Sequence, residues 1–305
     1  MENNATRIKV LSTECGFDAC GIASADFLPN DSDYLKQWIS NGFNGDMAYM
    51  ENHQTLRENP RNLMPEAKSV VVVLLNYYST LRFQPDTPQI AKYAWGNDYH
   101  FVMKTQLNHL LSRIQSEIQP CHGIAFCDSA PIFERRLAER AGLGWIGKSS
   151  MLINPELGSY CFIGELLLDI ELAYDKPQTS RCGNCQACLD ACPTKALLAP
   201  HVLNALKCLS YQTIEKKGDM EQTMVQLAGK KLFGCDTCLE VCPWNRKAKQ
   251  HTHMQLQPTN DFLLMTKTDW ERFSRSDFKR LFKNSPLQRA GYRKIRNRLD
   301  QLGFI

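Results

Sequence analysis

Residues 182–193 read CGNCQACLDACP, and residues 235–243 read CDTCLEVCP. Both stretches space their cysteines two or three residues apart and close with a Cys-Pro pair, as ferredoxins with two iron–sulfur clusters do. Thiolates at two-residue gaps wrap one cluster, whereas the thiolate before the proline ligates the neighbouring cluster. The spacing therefore predicts two [4Fe–4S] clusters in this part of the chain.

The same rule assigns four ligands to each cluster. The first cluster takes Cys182, Cys185, Cys188 and Cys242. The second cluster takes three cysteines from the two stretches, namely Cys192, Cys235 and Cys238. Val241 stands where the second stretch would carry its third closely spaced cysteine, so one iron needs a thiolate from elsewhere. Cys208, alone between the stretches, is the candidate for that fourth position.

Two other uses of cysteine fit this sequence less well. Structural zinc also binds cysteines two residues apart, but it gives no reason for a third and fourth cysteine packed behind the first two. Disulfides belong to oxidising compartments, and the opening Met-Glu-Asn-Asn has no charged-then-apolar leader. With 13 cysteines in 305 residues, the chain is expected to work in the reducing cytoplasm.

Charge is distributed unevenly along the chain. The net charge is +4, but residues 246–305 hold 14 Lys and Arg against 5 Asp and Glu, and the remainder holds 22 against 27. A basic block is the electrostatic footprint of a polyanion partner, although a solvated helix face is the commoner cause of a charge run. The longest apolar run, residues 70–75, is too short to cross a bilayer, so no membrane contact is expected.

One aspartate in the first half follows a predicted strand. Residues 68–78 contain an unbroken Val and Leu run, which predicts a strand buried on both faces, as in a sheet with helices on each side. Residues 123–127 predict another strand, and Asp128 comes directly after it. Ligands bind at the carboxyl ends of strands in α/β sheets, so Asp128 is a site candidate. The alternative is that Asp128 caps a helix whose first turn contains Pro131.

Residues 142–149, GLGWIGKS, satisfy the phosphate-loop pattern G-x4-G-K-S. A phosphate loop must follow a strand and begin a helix, so that the first helical amides face the phosphates. Here the sequence predicts a helix before the glycines, over residues 134–141, and a strand after them, over residues 151–153. We therefore do not expect nucleotide binding at this segment.

Several motifs together resemble those of the epoxyqueuosine reductase family. They are residues 128–135 (DSAPIFER), 141–148 (AGLGWIGK), 164–166 (GEL), 208–215 (CLSYQTIE) and 242–245 (CPWN), together with the eight cysteines. The resemblance runs from about residue 5 to about residue 300. It implies reduction of epoxyqueuosine to queuosine at the wobble position of tRNA, with cobalamin and two [4Fe–4S] clusters, and the epoxide oxygen leaving as water.

The resemblance also implies a fold and site residues. The fold is α+β, with a cobalamin-binding α/β domain related to reductive dehalogenases over residues 1–176, a ferredoxin-like module with two [4Fe–4S] clusters over 177–247, and a short basic helical region over 248–305. Asp128 matches the proton donor of the family. The positions matching cobalamin contacts are Asp128, Leu152, Ile163, Ser210 and, beside a cluster ligand, Asp236. No Asp-x-His-x-x-Gly motif supplies an axial histidine.

The expected partners are a tRNA that carries epoxyqueuosine and an external low-potential electron donor of the ferredoxin or flavodoxin type. Typical family members continue into a helical-repeat domain, so the chain resembles a short form whose basic helices would hold most of the tRNA, through side chains such as Arg293 and Arg296. We expect a monomer. The alternatives are a two-cluster electron-transfer protein and a corrinoid reductase of a small halide or epoxide.

The proton-donor role makes a demand on Asp128. A free aspartic acid has a pKa of about 3.9 and would be ionised at neutral pH. We therefore expect burial and apolar walls to raise the pKa of Asp128.

Overall fold

The computed structural model describes residues 2–258 and 261–305 of a mixed α+β fold. The helices are α1 Glu2–Glu14, α2 Pro29–Ser40, α3 Tyr49–Asn52, α4 Gln54–Glu58, α5 Tyr99–Glu117, α6 Glu134–Arg140, α7 Ala187–Ala191, α8 Leu209–Ile214, α9 Gln222–Ala228, α10 Thr237–Glu240, α11 Lys267–Glu271, α12 Arg275–Leu281 and α13 Leu287–Gln301. The strands are β1 Ala19–Ser24, β2 Ser69–Asn76, β3 Gln89–Ile90, β4 Gly123–Phe126, β5 Trp145–Ile146, β6 Leu152–Ile153, β7 Cys161–Leu168, β8 Leu197–Ala199, β9 Val202–Leu203 and β10 Lys231–Phe233.

A four-stranded sheet with the order β1-β2-β7-β4 forms the centre of the first half. Every residue of β2 is buried, as its unbroken Val and Leu run predicts. All neighbouring strands run antiparallel, with Asn76 opposite Cys161 and Phe126 opposite Glu165. The carboxyl ends of β2 and β4 therefore meet the beginning of β7 at one edge of the sheet, and that edge is where the predicted strand-end aspartate lies.

Helices cover both faces of this sheet. On one face α1 and α5 pack against it, with Leu11 and Leu107 fully buried. On the other face α6 contributes Leu137, which is also fully buried. Each such leucine contributes about 1.5–3 kcal/mol through removal of its side chain from water. The two-sided burial explains why the central strands carry almost no polar residues.

One local prediction near α6 differs from the structure. Asp128 does not cap this helix; the helix is instead tied to α2 by Arg136, which lies 2.6 Å from the carboxylate of Asp31. Pro131 lies before α6, which begins at Glu134. The intervening bend is where Asp128 leaves the strand.

The cluster segment is joined to the first half through β10, which pairs in parallel with β3. The C-terminal helices share a core with both, since Trp270 and Phe282 pack with Trp95 and Phe233. The boundaries of the predicted three-part division stay a prediction, and the last part has no core of its own. Among the described residues, no helix has the length and apolar character that crossing a membrane requires.

Candidate active site and cluster sites

A cavity of about 420 Å³ lies where the carboxyl ends of β2 and β4 meet the beginning of β7. Four of the five positions predicted to contact a cofactor line it, namely Asp128, Leu152, Ile163 and Ser210. The first three belong to the sheet half of the molecule, whereas Ser210 comes from α8 in the cluster segment. The cavity therefore forms between the two halves.

Asp236 lies elsewhere. Its carboxylate accepts a hydrogen bond from the backbone N–H of Lys92 at 2.8 Å and faces a smaller cavity of about 150 Å³. Burial raises the pKa of Asp236 to about 6. The structure does not bring this side chain to the large cavity, and its contact with a cofactor stays a prediction.

Three side chains converge on Asp128. The residue has a left-handed backbone (φ 56°) two residues beyond β4, which turns its side chain into the cavity. His100 Nε2 lies 2.9 Å from Asp128 Oδ2, and the hydroxyl of Tyr99 donates to the same oxygen. The backbone N–H of Asp128 donates to the carboxylate of Glu134. Asp128 is thus held by α5 on one side and α6 on the other.

His100 connects Asp128 to a second aspartate. Asp98 caps α5 by accepting from the backbone N–H of His100, and the same carboxylate oxygen lies 2.6 Å from His100 Nδ1. Burial lowers the pKa of His100, but the hydrogen bonds to Asp128 and Asp98 outweigh it and raise that pKa to about 9. The imidazole is therefore protonated at neutral pH and donates from both nitrogens.

The expectation of a raised pKa at Asp128 is wrong. Desolvation does raise the pKa of Asp128, but the hydrogen bonds from His100 and Tyr99 lower it further, so the net shift is downward. The side chain also keeps 47% of its surface exposed to the open cavity, which limits desolvation. At neutral pH the transferable proton is therefore held on His100, beside an ionised Asp128.

Two carboxyl groups at this site, those of Glu134 and Glu165, were not predicted from the sequence. Glu134 lines the cavity, and burial together with the charge of Asp128 raises its pKa to about 7. Glu165 in β7 is fully buried, and neither carboxylate oxygen has a hydrogen-bond partner among the described residues. The signal was present in both cases, since Glu165 interrupts the apolar run CFIGELLL and Glu134 is part of the DSAPIFER motif.

Aromatic rings form one wall of the cavity. The rings of Tyr99 and Phe162 stack with 4.2 Å between centroids and an angle of 5°, and Tyr77 lies 4.5 Å from Phe162. All three residues line the cavity. Among its described lining residues His100 is the sole histidine, and both of its ring nitrogens are engaged by aspartates. The cavity thus has an aromatic wall, and the ring nitrogens of its one described histidine are both engaged.

The four cysteines predicted for the first cluster surround one cavity. It measures about 200 Å³, and its lining includes Cys182, Cys185, Cys188 and Cys242. Lys148 and Trp244 also line this cavity. The thiol of Cys185 is exposed, so this site lies at the protein surface.

The four cysteines predicted for the second cluster also lie together. Burial raises the pKa of Cys208, and so do the charges of Cys235 and Cys192, which places these thiols close to one another. Burial likewise raises the pKa of Cys238, and the charges of Cys235 and Cys208 raise it further. The backbone N–H of Ala196 donates to Cys192 Sγ at 3.3 Å, a type of contact that surrounds iron–sulfur clusters. The assignment of individual ligands stays a prediction.

Some basic side chains of the C-terminal helices bind other groups of the protein itself. Arg289 lines the large cavity and lies 3.4 Å from Glu215. Arg293 is exposed, whereas Arg296 donates to the carbonyl of Phe273 at 2.7 Å. Arg296 therefore uses one of its five N–H donors inside the fold, and its contact with phosphate stays a prediction.

These features define a class of protein, an oxidoreductase with two iron–sulfur clusters beside a proton-carrying cavity. Residues 181–245 match the family model described as 4Fe-4S double cluster binding domain. Residues 57–129 match the model described as Epoxyqueuosine reductase QueG, DUF1730.

Curated relatives extend the match to almost the whole chain. The chain is 43% identical to an epoxyqueuosine reductase of Cellulophaga algicola, covering 99% of this chain and 98% of the relative. It is 37% identical to that of Escherichia coli, covering 98% of this chain and 80% of the relative. The chain belongs to the epoxyqueuosine reductase family.

Solved structures agree. A crystal structure of an epoxyqueuosine reductase superimposes with a TM-score of 0.90 and 30% identity, covering 97% of this chain and 80% of that one. Another, with an epoxyqueuosine-modified tRNA stem loop, gives 0.86 at 30% identity, with the same coverage of both chains. A reductive dehalogenase gives 0.50 at 16% identity, covering 82% of this chain and 33% of that one, which indicates a shared fold alone.

Proposed function

We propose that this protein reduces epoxyqueuosine to queuosine at the wobble position of tRNA and releases the epoxide oxygen as water. Its relatives over nearly the whole chain are epoxyqueuosine reductases, and one solved relative is bound to an epoxyqueuosine-modified tRNA stem loop. The observation that carries the proposal is the position of Asp128 in a cavity whose other wall includes Ser210 and Phe233. Ser210 follows Cys208 by two residues, and Phe233 precedes Cys235 by two.

Cobalamin fits the cavity as its cofactor. The aromatic rings of Tyr77, Tyr99 and Phe162 give the cavity the apolar wall that a corrin ring would need, and both nitrogens of His100 are already engaged by aspartates. The residues that would hold it are Asp128, Leu152, Ile163 and Ser210. When bound, cobalamin supplies two-electron reduction at the substrate carbon, and the [4Fe–4S] clusters supply electrons one at a time.

The two clusters have different places in electron delivery. Cys185 is exposed, so the first cluster faces solvent and is the entry point for an external low-potential donor of the ferredoxin or flavodoxin type. The second cluster lies beside the cavity, because Cys208 is two residues from Ser210 in its wall. We infer that electrons pass from the first cluster to the second and then to the cavity. The protein acts as a monomer in the cytoplasm.

Asp128 donates a proton to the leaving oxygen. Its own carboxylate is ionised, but the imidazolium of His100 lies 2.9 Å away and can transfer its proton through Asp128 Oδ2 as negative charge develops on the oxygen. Asp98 holds the other nitrogen of the ring at 2.6 Å and so keeps the imidazolium oriented. The hydroxyl of Tyr99 fixes the rotamer of Asp128.

The tRNA approaches from the side of α13. Arg289 lies at the cavity wall, and exposed Arg293 follows it beyond a break in α13 at Gly291. Contacts of Lys and Arg with phosphates supply affinity without reading sequence. An anticodon base must leave the stack for chemistry on it to occur, so the modified base would enter the cavity from this side.

Replacing Asp128 with Asn tests the proton-donor role. The substitution keeps the shape and removes the carboxylate, so we expect turnover to fall by about 10²- to 10⁴-fold, the usual contribution of general acid catalysis. The measurement is queuosine formation on tRNA by anoxically purified protein, with iron and cobalt content measured in parallel. Asp169→Asn is the matched control, because Asp169 only accepts from the backbone N–H of His122. Near wild-type turnover of Asp128→Asn with full cofactor content would refute the assignment.

A further inference from the structure

The proposed reaction consumes two protons, and Asp128 accounts for one. Converting an epoxide to an alkene and water takes two electrons and two protons, one proton for each carbon–oxygen bond that breaks at the departing oxygen. The unit of Asp98, His100 and Asp128 holds a single transferable proton at neutral pH, on the imidazole. A second proton has to come from another group at the cavity.

Glu134 is in contact with the first donor and with the cavity. Its side chain lines the cavity, and one of its carboxylate oxygens accepts the backbone N–H of Asp128. The other oxygen is left for a proton. Glu134 is the first residue of α6, so its position is fixed by a helix that packs on the sheet through Leu137 and Ala138.

Glu165 lies behind Glu134. It stands in the middle of β7, on the same face of the strand as Ile163, which lines the cavity, and Leu167, which packs under α6. The residue is 0% exposed, and both side-chain oxygens lack a hydrogen-bond partner among the described residues. An ionised carboxylate without a partner would be very costly at such a site, so Glu165 is a neutral acid whose O–H is free to donate.

The charged groups around the pair are of both signs. Asp128 faces Glu134 from the end of β4, Arg135 from α6, His100 from α5 and Arg57 from α4. The charges that raise the pKa of Glu165 are those of Glu134 and Asp128. Burial is the main cause that raises the pKa of both glutamates, and the negative charge of Asp128 raises it further. The outcome is a pKa of about 7 for Glu134 and one far above the ordinary range for Glu165.

We propose that Glu134 delivers the second proton of the reduction, with Glu165 as a buried, neutral carboxyl group behind it. Below about pH 7 both carboxyl groups carry a proton in the resting protein. The O–H bond of Glu134 breaks, and its proton goes to the departing oxygen, which leaves as water. Glu165 keeps its own proton and so adds no negative charge beside the new carboxylate, and Glu134 is protonated again from solvent through the cavity. This role rests on the proposed function.

Infrared spectroscopy of the anoxic holoprotein tests the pair without turnover. A protonated carboxyl group absorbs in the carbonyl region, apart from ionised carboxylates. We expect wild type to show one such band that disappears with a midpoint near pH 7 and one that persists at higher pH. Glu134→Gln should remove the first band and Glu165→Gln the second. Glu139→Gln is the control on the same helix, because Glu139 is held by Arg136 and the backbone N–H of Ile146.

The pH dependence of single-turnover queuosine formation tests the proton transfer. Wild-type rate should fall as pH rises through about 7, because Glu134 loses its proton there. Glu134→Gln should be slower by about 10²-fold and lose this decline. Glu165→Leu should move the decline to higher pH, since an apolar side chain replaces a polar one behind Glu134 and disfavours its ionised form, and Glu165→Gln should restore its position.

Two results would overturn the role of Glu134. One is a Glu134→Gln variant that keeps the wild-type rate and the decline near pH 7, and the other is a carbonyl band that none of the three substitutions changes. Failure of the proposed function is distinguishable, because wild type itself would then form no queuosine. The infrared bands would still report the protonation of Glu134 and Glu165 in that case.

Discussion

At the scale of single residues, the site depends on how protons are divided among neighbouring groups. Asp128 could be found from the sequence because it follows a strand directly. Its charge state could not, because the hydrogen bonds that set it come from Tyr99 and His100, about thirty positions earlier in the chain. The sequence therefore predicted the position of the donor, which stays a prediction, and the hydrogen bonds of the structure favour the proton on His100.

Replacing His100 with Gln should slow the reaction at neutral pH. The folded-state pKa of His100 is raised to about 9, so the imidazolium is present below that pH and is lost as pH rises through it. The wild-type rate, which already declines through about pH 7 with Glu134, should therefore fall more steeply above about pH 9. For His100→Gln we expect a loss of roughly 10²-fold at pH 7 and no further titration near pH 9, measured as a pH–rate profile.

The control for this substitution is His109→Gln. His109 lies on the exposed side of α5, the same helix, so its replacement should leave the profile unchanged. A His100→Gln profile that still declines near pH 9 would contradict the assignment. The raised pKa also links His100 to stability. It favours the folded state fully below the unfolded pKa of about 6.5, and that contribution is lost as pH rises through about 9.

At the scale of elements, the glycine-rich segment between α6 and β6 has a role that the sequence did not predict. Its order of helix, glycines and strand ruled out a phosphate loop, and the structure has that order. Gly144 allows close contact, since a Cβ there would lie 2.1 Å from the carbonyl oxygen of Ile153. Lys148 Nζ donates to the carbonyls of Gly183 and Cys185 at 2.7 and 2.9 Å. The segment therefore joins the sheet half to the loop around the first cluster.

Replacing Lys148 with Met should loosen that loop and change its cluster. Hydrogen bonds from a charged group contribute about 1.5–3 kcal/mol each, and two are lost. We expect faster loss of one cluster in air, seen as iron and sulfide falling toward half. Removing a positive charge should also lower the reduction potential of the remaining first cluster, measured by anoxic titration with electron paramagnetic resonance. Lys104→Met, on the exposed side of α5, is the control, and equal stability and potential in both variants would contradict the role.

Burial was easier to predict than strand direction and helix ends. The Val and Leu run of β2 predicts burial on both faces, but not that its neighbours run antiparallel, because residues that lie far apart in sequence set that pairing. The basic helical region predicted over residues 248–305 consists of several short helices, and Ser274 begins α12 through a capping box with Asp277. Local polar residues thus set a helix boundary that the charge pattern alone does not show.

At the scale of the whole molecule, the basic residues of the C-terminal region hold the fold together as well as offering charge to a partner. Lys294 donates to the carbonyls of Ile214 and Lys216, and Arg298 is buried against the carbonyl of Lys231. The net charge of residues 246–305 therefore overstates the charge available to phosphates. Charge counting predicted the partner class, but it could not separate free arginines from those that hold the helices in place.

Arg289 and Arg293 are the pair that tests tRNA contact beside the cavity, because Arg289 lines the cavity and Arg293 is exposed. Replacing both with Gln should weaken tRNA binding and reduce the slope of log affinity against log salt by about 1.5, since each lost phosphate contact contributes about 0.7–0.9. Arg7→Gln is the control, because it pairs with Glu117 at the far end of 19-residue α5, roughly 27 Å from Asp98. Cofactor content should stay unchanged. An unaltered salt slope would mean that tRNA approaches the cavity from another side.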